Sequence, residues 1–276
     1  MWGLDLGSLV GRGKRADVHA YGDGRVLKLF VDGTDSGEAA GEAEATKVVH
    51  DLGLPAPACF GTVTVGARPG IVFERVDGPT MLADFLARPW RTLAVARQMA
   101  ELHAVIHGAV ISDRYPSQRE AVRRKILAAG RLDENLRDAA LKALAALPDG
   151  DRVCHGDFHP GNVILGPRGP VVIDWQDAKR GNPAADIART VLLARHAPLH
   201  FPPGPHRVVL TLLTRLLVTG YLRYYSRLRP LRLSDVRAWL PVLAAARLRE
   251  GLEVEETALL RLAGLLAGRD PTCRPE

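Results

Sequence analysis

Three polar residues near the middle of the chain have types and spacing that suit phosphoryl transfer. Asp157 and Asn162 stand five residues apart, and Asp174 follows twelve residues later at the end of an apolar run. A carboxylate can accept the proton of an attacking hydroxyl, so we expect Asp157 to act as a general base. Asn162 and Asp174 offer the hard oxygen atoms that Mg²⁺ prefers. The pattern therefore predicts a catalytic set of Asp157, Asn162 and Asp174, with the last two holding the metal.

A glycine-rich segment near the amino terminus fits the same chemistry. The run from Gly11 through Gly13 to Val18 follows the pattern G-x-G-x-x-G-x-V, except that Ala16 stands in the third glycine place. Such a turn between two strands covers the phosphates of a nucleotide, and we assign Gly11 and Gly13 to that role. A hairpin and a second strand follow instead of a helix, which disfavours a dinucleotide-binding fold. The sequence also contains no G-x-x-x-x-G-K-[ST] motif.

A lysine on the next strand completes the predicted nucleotide site. Lys28 lies between Leu27 and Leu29, where its ammonium group could reach the phosphates and pair with a helix glutamate. We expect Glu44 to be that partner, with Glu42 as the alternative. Glu44 is favoured because it shares an i+4 helix face with two apolar residues, at positions 48 and 52.

The order of secondary structure elements indicates the fold that must position these residues. Before residue 30, segments of alternating apolar and polar residues are separated by turn residues, and one of them is a predicted strand over 25–30. A helix is predicted over 38–52, a strand over 71–76 and a long helix over 92–108. Two short strands, over 162–165 and 171–173, flank a turn at 166–169 and predict a hairpin that brings Asn162 and Asp174 together. The rest of the chain is mainly helical. We therefore predict an α+β, bilobal protein-kinase-like fold. It would have a small N-terminal lobe, 1–77, built from an antiparallel sheet and one helix, and a larger helical lobe, 78–276.

The motifs resemble those of the aminoglycoside phosphotransferase and choline kinase family. The segment 155–162 resembles its catalytic loop and 172–175 its metal-binding strand end. Further on, the chain resembles a downstream segment in which an Asp helps to hold the catalytic loop, at Asp177, Gly181, Pro183, Asp186 and Ala188. The resemblance implies that ATP, or GTP in its place, binds with Mg²⁺, and that main-chain groups of Glu74 and Val76 bind adenine. The chain departs from the family pattern at Ala16 and at Gln176.

The acceptor is expected to be a small molecule. Only eleven residues separate Asp174 from Asp186, which leaves no room for the peptide platform of a protein kinase. Four acidic residues near the carboxyl terminus, Glu250, Glu253, Glu255 and Glu256, could attract an amine. We therefore favour an aminoglycoside-like or other aminated hydroxyl compound, which would allow a role in antibiotic resistance. Sugars and choline-like amino alcohols remain open as alternatives.

Composition argues against several other classes of protein. The net charge is +6, but the arginines are spread along the chain, so nucleic acid is not favoured as a partner. Cys59, Cys154 and Cys273 form no metal or disulfide pattern. No apolar run is long enough to predict a membrane span, and no signal peptide is evident at the start, so we expect a cytoplasmic protein. The sequence does not indicate an oligomeric state.

Two alternative functions remain at this point. His155, Asp157 and His159 form an H-x-D-x-H cluster that could belong to a metal-dependent hydrolase, completed by later histidines. Those histidines are His196, His200 and His206. A non-catalytic nucleotide-binding relative of the kinases is the second alternative. His103 and His107 are interpreted as partly buried helix histidines.

Overall fold

The computed structural model describes residues 6–13 and 15–268, so Lys14 and Cys273 lie outside the described residues. The chain divides into two compact units. The first comprises the residues up to Asp84 together with Pro160–Ala178, and the second comprises Phe85–His159 and the residues from Lys179 onward. The sequence suggested a single division after residue 77, whereas in the structure Pro160–Ala178, which begins within the catalytic-loop motif, groups with the first unit.

The strands and helices of the described residues are numbered in chain order. The strands are β1 (Leu9–Arg12), β2 (Ala16–Ala20), β3 (Arg25–Phe30), β4 (Cys59–Val65), β5 (Arg68–Glu74), β6 (Arg152–Cys154), β7 (Val163–Gly166), β8 (Gly169–Val172) and β9 (Lys179–Gly181). The helices are α1 (Ser36–Asp51), α2 (Met81–Ala87), α3 (Thr92–Ile106), α4 (Gln118–Leu127), α5 (Glu134–Ala146), α6 (Pro183–His196), α7 (Pro205–Leu228), α8 (Leu233–Arg247) and α9 (Glu253–Gly264).

The first unit is built on a five-stranded sheet with the order β1-β2-β3-β5-β4, in which all neighbouring strands are antiparallel. Alternation along β3 buries Leu27 and Leu29 on one face and directs Lys28 to the other, because successive side chains of a strand point to opposite faces. The β2–β3 pairing places Val18 opposite Lys28. The sheet thus fixes the position of the candidate nucleotide lysine.

Helix α1 covers one face of this sheet. Its amino terminus is capped by Asp35, whose side chain accepts a hydrogen bond from the Gly37 N–H at 3.0 Å. The buried face of the helix is lined mainly by small residues, which allow the helix to approach the sheet closely. Its buried residues are Ala39, Glu42, Ala43, Ala45, Thr46 and Val49.

The β7–β8 hairpin joins the first unit through main-chain hydrogen bonds. The Leu165 N–H donates to Pro79 O at 2.9 Å, and the Val172 N–H donates to Pro55 O at 2.6 Å. After β8 a short 3₁₀ helix begins at Trp175, whose buried indole donates to Val172 O at 2.8 Å. These contacts set where Asp174 lies relative to the sheet.

The second unit is mostly helical. Helix α3 packs against α7, and α8 packs against α6 and α9. The largest fully buried side chains in this unit include Trp239, Tyr221, Tyr225 and Phe158. The short strands β6 and β9 pair beside the catalytic-loop segment. Among the described residues, none of the helices combines the length and the apolar character that crossing a membrane requires.

Candidate active site

Lys28 contacts two carboxylates within the first unit. Its Nζ lies 2.7 and 2.9 Å from the two oxygens of Glu42 and 3.1 Å from Asp174 Oδ1. Burial opposes the charge of the lysine, but attraction by Glu42 and then Asp174 outweighs burial and raises the pKa of Lys28. Burial raises the pKa of Glu42 against the attraction of Lys28, and Asp174 adds to that rise. Two acids share one lysine, so the cluster has an excess negative charge that suits a further cation.

The expectation that Glu44 pairs with Lys28 is wrong. Glu44 is exposed, whereas the Glu42 side chain is only 2% exposed and holds the lysine. The prediction took the wrong face of helix α1 as the one that faces the sheet. The residue at position 52, used to define the inner face, is itself exposed, and the buried face runs through Ala39, Glu42 and Thr46. Glu42, named as the alternative, is therefore the partner.

The two candidate metal ligands lie at the base of one hairpin. Val163 pairs with Val172 at the open end of the β7–β8 hairpin, so the residues just outside this pair are neighbours. Asn162 is buried, and its main-chain oxygen accepts a hydrogen bond from the Ile173 N–H at 2.9 Å. The hairpin therefore brings Asn162 and the Ile173–Asp174 strand end together, as the sequence predicted.

Asp174 has an unusual backbone conformation. Its φ of 66° and ψ of 59° place it in the left-handed region, and no other non-glycine residue of the described ranges has a positive φ. This conformation costs about 1–2 kcal/mol for a residue with a Cβ, although aspartate tolerates it better than most. Retained strain of this kind is common at functional sites.

The candidate phosphate-binding turn connects β1 and β2. The Gly13 N–H donates to Ala16 O at 2.8 Å and closes the turn, and a Cβ at Gly13 would lie 3.2 Å from that same oxygen. At Gly11 the nearest atom to an added Cβ is 3.9 Å away. A side chain at Gly13 would therefore crowd the tight turn, whereas at Gly11 it would make only an ordinary van der Waals contact.

Strand β5 ends at Glu74, where the segment predicted to bind adenine begins. The Glu74 N–H donates to Ala58 O at 2.9 Å, while the Ala58 N–H donates to the Glu74 carboxylate at 3.2 Å. In a continued ladder, the Ala58 N–H would instead pair with the main-chain oxygen of Glu74. The carboxylate also pairs with Arg168. Val76 follows two residues later and packs near Gly166.

Asp157 lies in the catalytic-loop segment of the second unit. Its N–H donates to His155 Nδ1 at 3.2 Å, and its carboxylate lies 3.6 Å from His159 Nε2 and 3.5 Å from Arg189 Nη2. Burial opposes ionisation, but His159 and then Arg189 outweigh it and hold the pKa of Asp157 well below its usual range. The carboxylate is therefore ionised at neutral pH and able to accept a proton.

The Asp186 carboxylate holds the main chain of this segment. It accepts hydrogen bonds from the His155 N–H at 2.6 Å and the Gly156 N–H at 2.8 Å. Two histidines also contact its Oδ2, His103 on α3 at 3.0 Å and His107, directly after α3, at 3.2 Å. These donors hold the pKa of the buried Asp186 well below its usual range, in spite of burial. Asp186 therefore fits the holding role that the resemblance gave to an Asp of the downstream segment.

The histidines that contact Asp186 are fully buried, not partly buried as expected. Tyr221 OH lies 2.6 Å from His103 Nδ1, and Tyr225 OH lies 2.8 Å from His107 Nδ1. With the tyrosines donating to Nδ1, both Nε2–H groups donate to Asp186, and neutral rings satisfy every partner. The tyrosines lie one helical turn apart on α7, but nothing in the sequence pairs them with these histidines.

The histidine cluster proposed for a metal-dependent hydrolase does not assemble. Within residues 6–13 and 15–268, the one group that brings three metal-ligating atoms within 4.8 Å of one another is His103, His107 and Asp186. His155, Asp157 and His159 form no such group. Of the later histidines, His196 and His200 lie against Glu255, and His206 is exposed.

The acidic residues near the carboxyl terminus are largely paired with basic groups. The fully buried Glu255 accepts two hydrogen bonds from Arg247, and Glu250 contacts both Arg247 and Arg189. Glu256 lies 3.5 Å from Arg131. Glu250 and Glu253 are exposed, whereas Glu255 is buried and Glu256 is half-buried. The run is therefore mainly part of an ion-pair network and not a free anionic surface.

Solved structures with this fold include several small-molecule kinases. A crystal structure of aminoglycoside-3'-phosphotransferase of type VIII is 25% identical, with a TM-score of 0.60, and the match covers 91% of this chain and 92% of that one. A thermostable mutant of aminoglycoside phosphotransferase APH(4)-Ia, in a ternary complex with AMP-PNP and hygromycin B, is 15% identical. Its TM-score is 0.65, and the match covers 96% of this chain and 93% of that one. A choline/ethanolamine kinase family protein from Mesorhizobium loti is 17% identical, with a TM-score of 0.57. That match covers 97% of this chain and 82% of the other.

The fold and the site together define a phosphotransferase with an alcohol group as acceptor, and the predicted α+β kinase-like fold is confirmed. The model of the phosphotransferase enzyme family, APH, matches residues 13–231. The match spans more than half of the 276 residues, so the chain belongs to this family. No curated protein sequence matches the chain significantly.

Proposed function

We propose that the protein transfers the γ-phosphoryl group of ATP to a hydroxyl of a small aminated acceptor, with Asp157 as the general base. The observation that carries this proposal is the contact between Lys28 and Asp174. These residues are 146 positions apart in sequence, yet their side chains are 3.1 Å apart. A phosphate-binding lysine and a metal-binding carboxylate must serve the same triphosphate, and this contact supports their shared role.

The first unit supplies the groups that hold the nucleotide. Lys28, fixed by Glu42, binds phosphate oxygens, and the turn containing Gly11 and Gly13 covers them. Asn162 and Asp174 fit a magnesium ion, because both offer hard oxygen atoms and the cluster has an excess negative charge. When bound, the ion would supply positive charge that offsets the negative charge of the phosphates.

The hinge segment supplies main-chain groups for adenine. The Ala58 N–H is bound by the Glu74 carboxylate, so we assign the Glu74 main-chain oxygen to accept from the adenine amino group. The Val76 N–H would donate to the ring. These main-chain contacts alone do not exclude guanine in place of adenine. GTP is therefore the alternative phosphoryl donor, and it is compared with ATP in the same assay.

Asp157 acts on the acceptor. Its carboxylate is ionised, so it can orient the attacking hydroxyl and accept the proton as the bond to phosphorus forms. The structural neighbours named for aminoglycoside phosphotransfer support an acceptor with several hydroxyl and amino groups. Because ATP is supplied inside the cell, we propose a cytoplasmic enzyme, and an aminoglycoside acceptor would make resistance its role.

A panel of acceptors assayed for ADP release tests the proposal. We expect an aminated hydroxyl compound to stimulate release. Asp157→Ala should lower the rate by about 10²–10⁴, the typical contribution of a general base. Asp138→Ala, at an exposed position on α5, is the matched control and should leave the rate unchanged. Equal turnover by the wild type and Asp157→Ala would refute the assignment of the base, and binding of nucleotide without turnover of any acceptor would favour a non-catalytic relative.

A further inference from the structure

Arg189 lies between the candidate base and a second carboxylate. Its Nη2 is 2.8 Å from Glu250 Oε1 but 3.5 Å from Asp157 Oδ1, and its Nε donates to Gly156 O at 3.3 Å. The arginine side chain is 12% exposed, so its geometry is determined by these partners and not by solvent. The same guanidinium therefore contacts the catalytic-loop main chain, the base and Glu250.

Glu250 is itself held by a buried arginine. Its Oε2 accepts from Arg247 Nη1 at 2.7 Å, while Arg247 donates Nε and Nη2 to the two oxygens of Glu255 at 2.6 and 2.8 Å. Two-point pairing of this kind fixes orientation as well as charge. His200 Nε2 lies 2.7 Å from Glu255 on its other side. The carboxylate facing Arg189 is thus anchored through α8 and α9.

This arrangement matters because an arginine can either assist or disable a carboxylate base. A guanidinium bound directly to both oxygens of Asp157 would occupy the atoms that must receive the acceptor hydroxyl. Glu250 takes the closer contact and holds the guanidinium back, leaving only the longer approach to Asp157 Oδ1. The positive charge therefore stays near the base without forming a direct two-point pair with it.

We propose that Arg189 and Glu250 are positioning residues for Asp157: Arg189 orients the carboxylate and the loop that holds it, and Glu250 prevents Arg189 from closing onto the base. This inference rests on the proposed function, because it assumes that Asp157 is the base. It gives a positioning role to Glu250, one of the four acidic residues that the sequence suggested could attract an amine.

Steady-state kinetics of three variants test this inference. Arg189→Gln should lower kcat by about 10²-fold, the cost of a misplaced catalytic group, without changing KM for the nucleotide. Arg189→Lys keeps the charge but loses the planar fork, so it should restore part of the rate. Glu250→Gln, at a side chain that is 33% exposed, frees Arg189 to close on Asp157 and should lower kcat by about 10-fold. Arg119→Gln removes an arginine that donates to main-chain oxygens at the carboxyl end of α5, and it controls for loss of a structural arginine.

A double-mutant cycle with Asp157→Ala tests whether Arg189 acts through the base or independently of it. If Arg189 acts through the base, Arg189→Gln should cause almost no further loss in the Asp157→Ala background. An equal loss in both backgrounds, or an unchanged kcat in Arg189→Gln, would overturn the positioning role while the deficit of Asp157→Ala leaves the proposed function standing. Wild-type turnover by Asp157→Ala would overturn the base and the positioning role together. Should Arg189→Gln fail to fold, an unchanged kcat in Glu250→Gln would overturn the proposal.

Discussion

Replacing Glu42 by glutamine separates its function from its contribution to stability. The substitution keeps the size of the side chain and an oxygen that can accept from Lys28, but it removes the charge that fixes the ammonium group at 2.7 Å. Lys28 would then be drawn towards Asp174, its other partner at 3.1 Å. That shift would misplace the phosphate-binding lysine, and it would pair the lysine with the carboxylate that we propose holds magnesium.

The two effects differ in size. Burial raises the pKa of Glu42, so ionised Glu42 carries a desolvation cost that the pair only partly repays. Removing the charge also removes that cost, so we expect Glu42→Gln to change the free energy of unfolding by no more than about 1 kcal/mol. A misplaced lysine should lower kcat/KM for the nucleotide by about 10²-fold, equivalent to about 2.7 kcal/mol of transition-state stabilisation.

The assay compares Glu42→Gln with Glu44→Gln, an exposed glutamate on the same helix. Nucleotide titrations give kcat/KM, and urea unfolding gives the free energy of unfolding. Glu44→Gln should match the wild type in both measurements. The reasoning is refuted if both variants lose activity equally, or if Glu42→Gln keeps the kcat/KM of the wild type.

Two further predictions concern Asp174 and His103. Asp174→Asn keeps a residue that tolerates the left-handed backbone but removes a charge, so it should weaken magnesium–nucleotide binding with little change in Tm. Asp174→Ala should also lower stability by about 1 kcal/mol, and equal Tm values for the two variants would contradict the strain argument. Burial, assisted by His107, lowers the pKa of His103 to about 3. The unfolded chain protonates this histidine below about pH 6.5, so stability should fall by about 2 kcal/mol between about pH 6.5 and about pH 5. Urea unfolding across this interval measures the drop, and a constant free energy of unfolding would show that His103 does not stay neutral.

Much of the site could be predicted because its parts are local in sequence. The spacing of Asp157, Asn162 and Asp174 reports a loop followed by a hairpin, and the structure has that hairpin at β7 and β8. The strand that carries Lys28 runs over Arg25–Phe30, the range expected from its apolar residues and the preceding turn. Short-range patterns of this kind are determined by backbone periodicity and turn residues, which a sequence displays directly.

The errors arose where tertiary packing decides between neighbouring residues. Glu42 and Glu44 lie on one helix, and only the approach of α1 to the sheet determines which of them faces Lys28. Likewise, the acidic run near the carboxyl terminus shows nothing of Arg189 and Arg247, which come from other helices to neutralise Glu250. Arg189 does follow Asp186 by three residues on α6, so its position on the same helix face was a signal that could have been used.

A single-turnover reaction followed by phosphorus NMR, in water enriched in heavy oxygen, tests the central claim most directly. The enzyme is mixed with ATP, Mg²⁺ and the acceptor identified by ADP release. The account predicts a phosphate ester on an acceptor hydroxyl, one ADP per ester and no oxygen derived from solvent, with slow formation by Asp157→Ala. Free phosphate that contains solvent oxygen, released at the same rate with or without the acceptor, would contradict it.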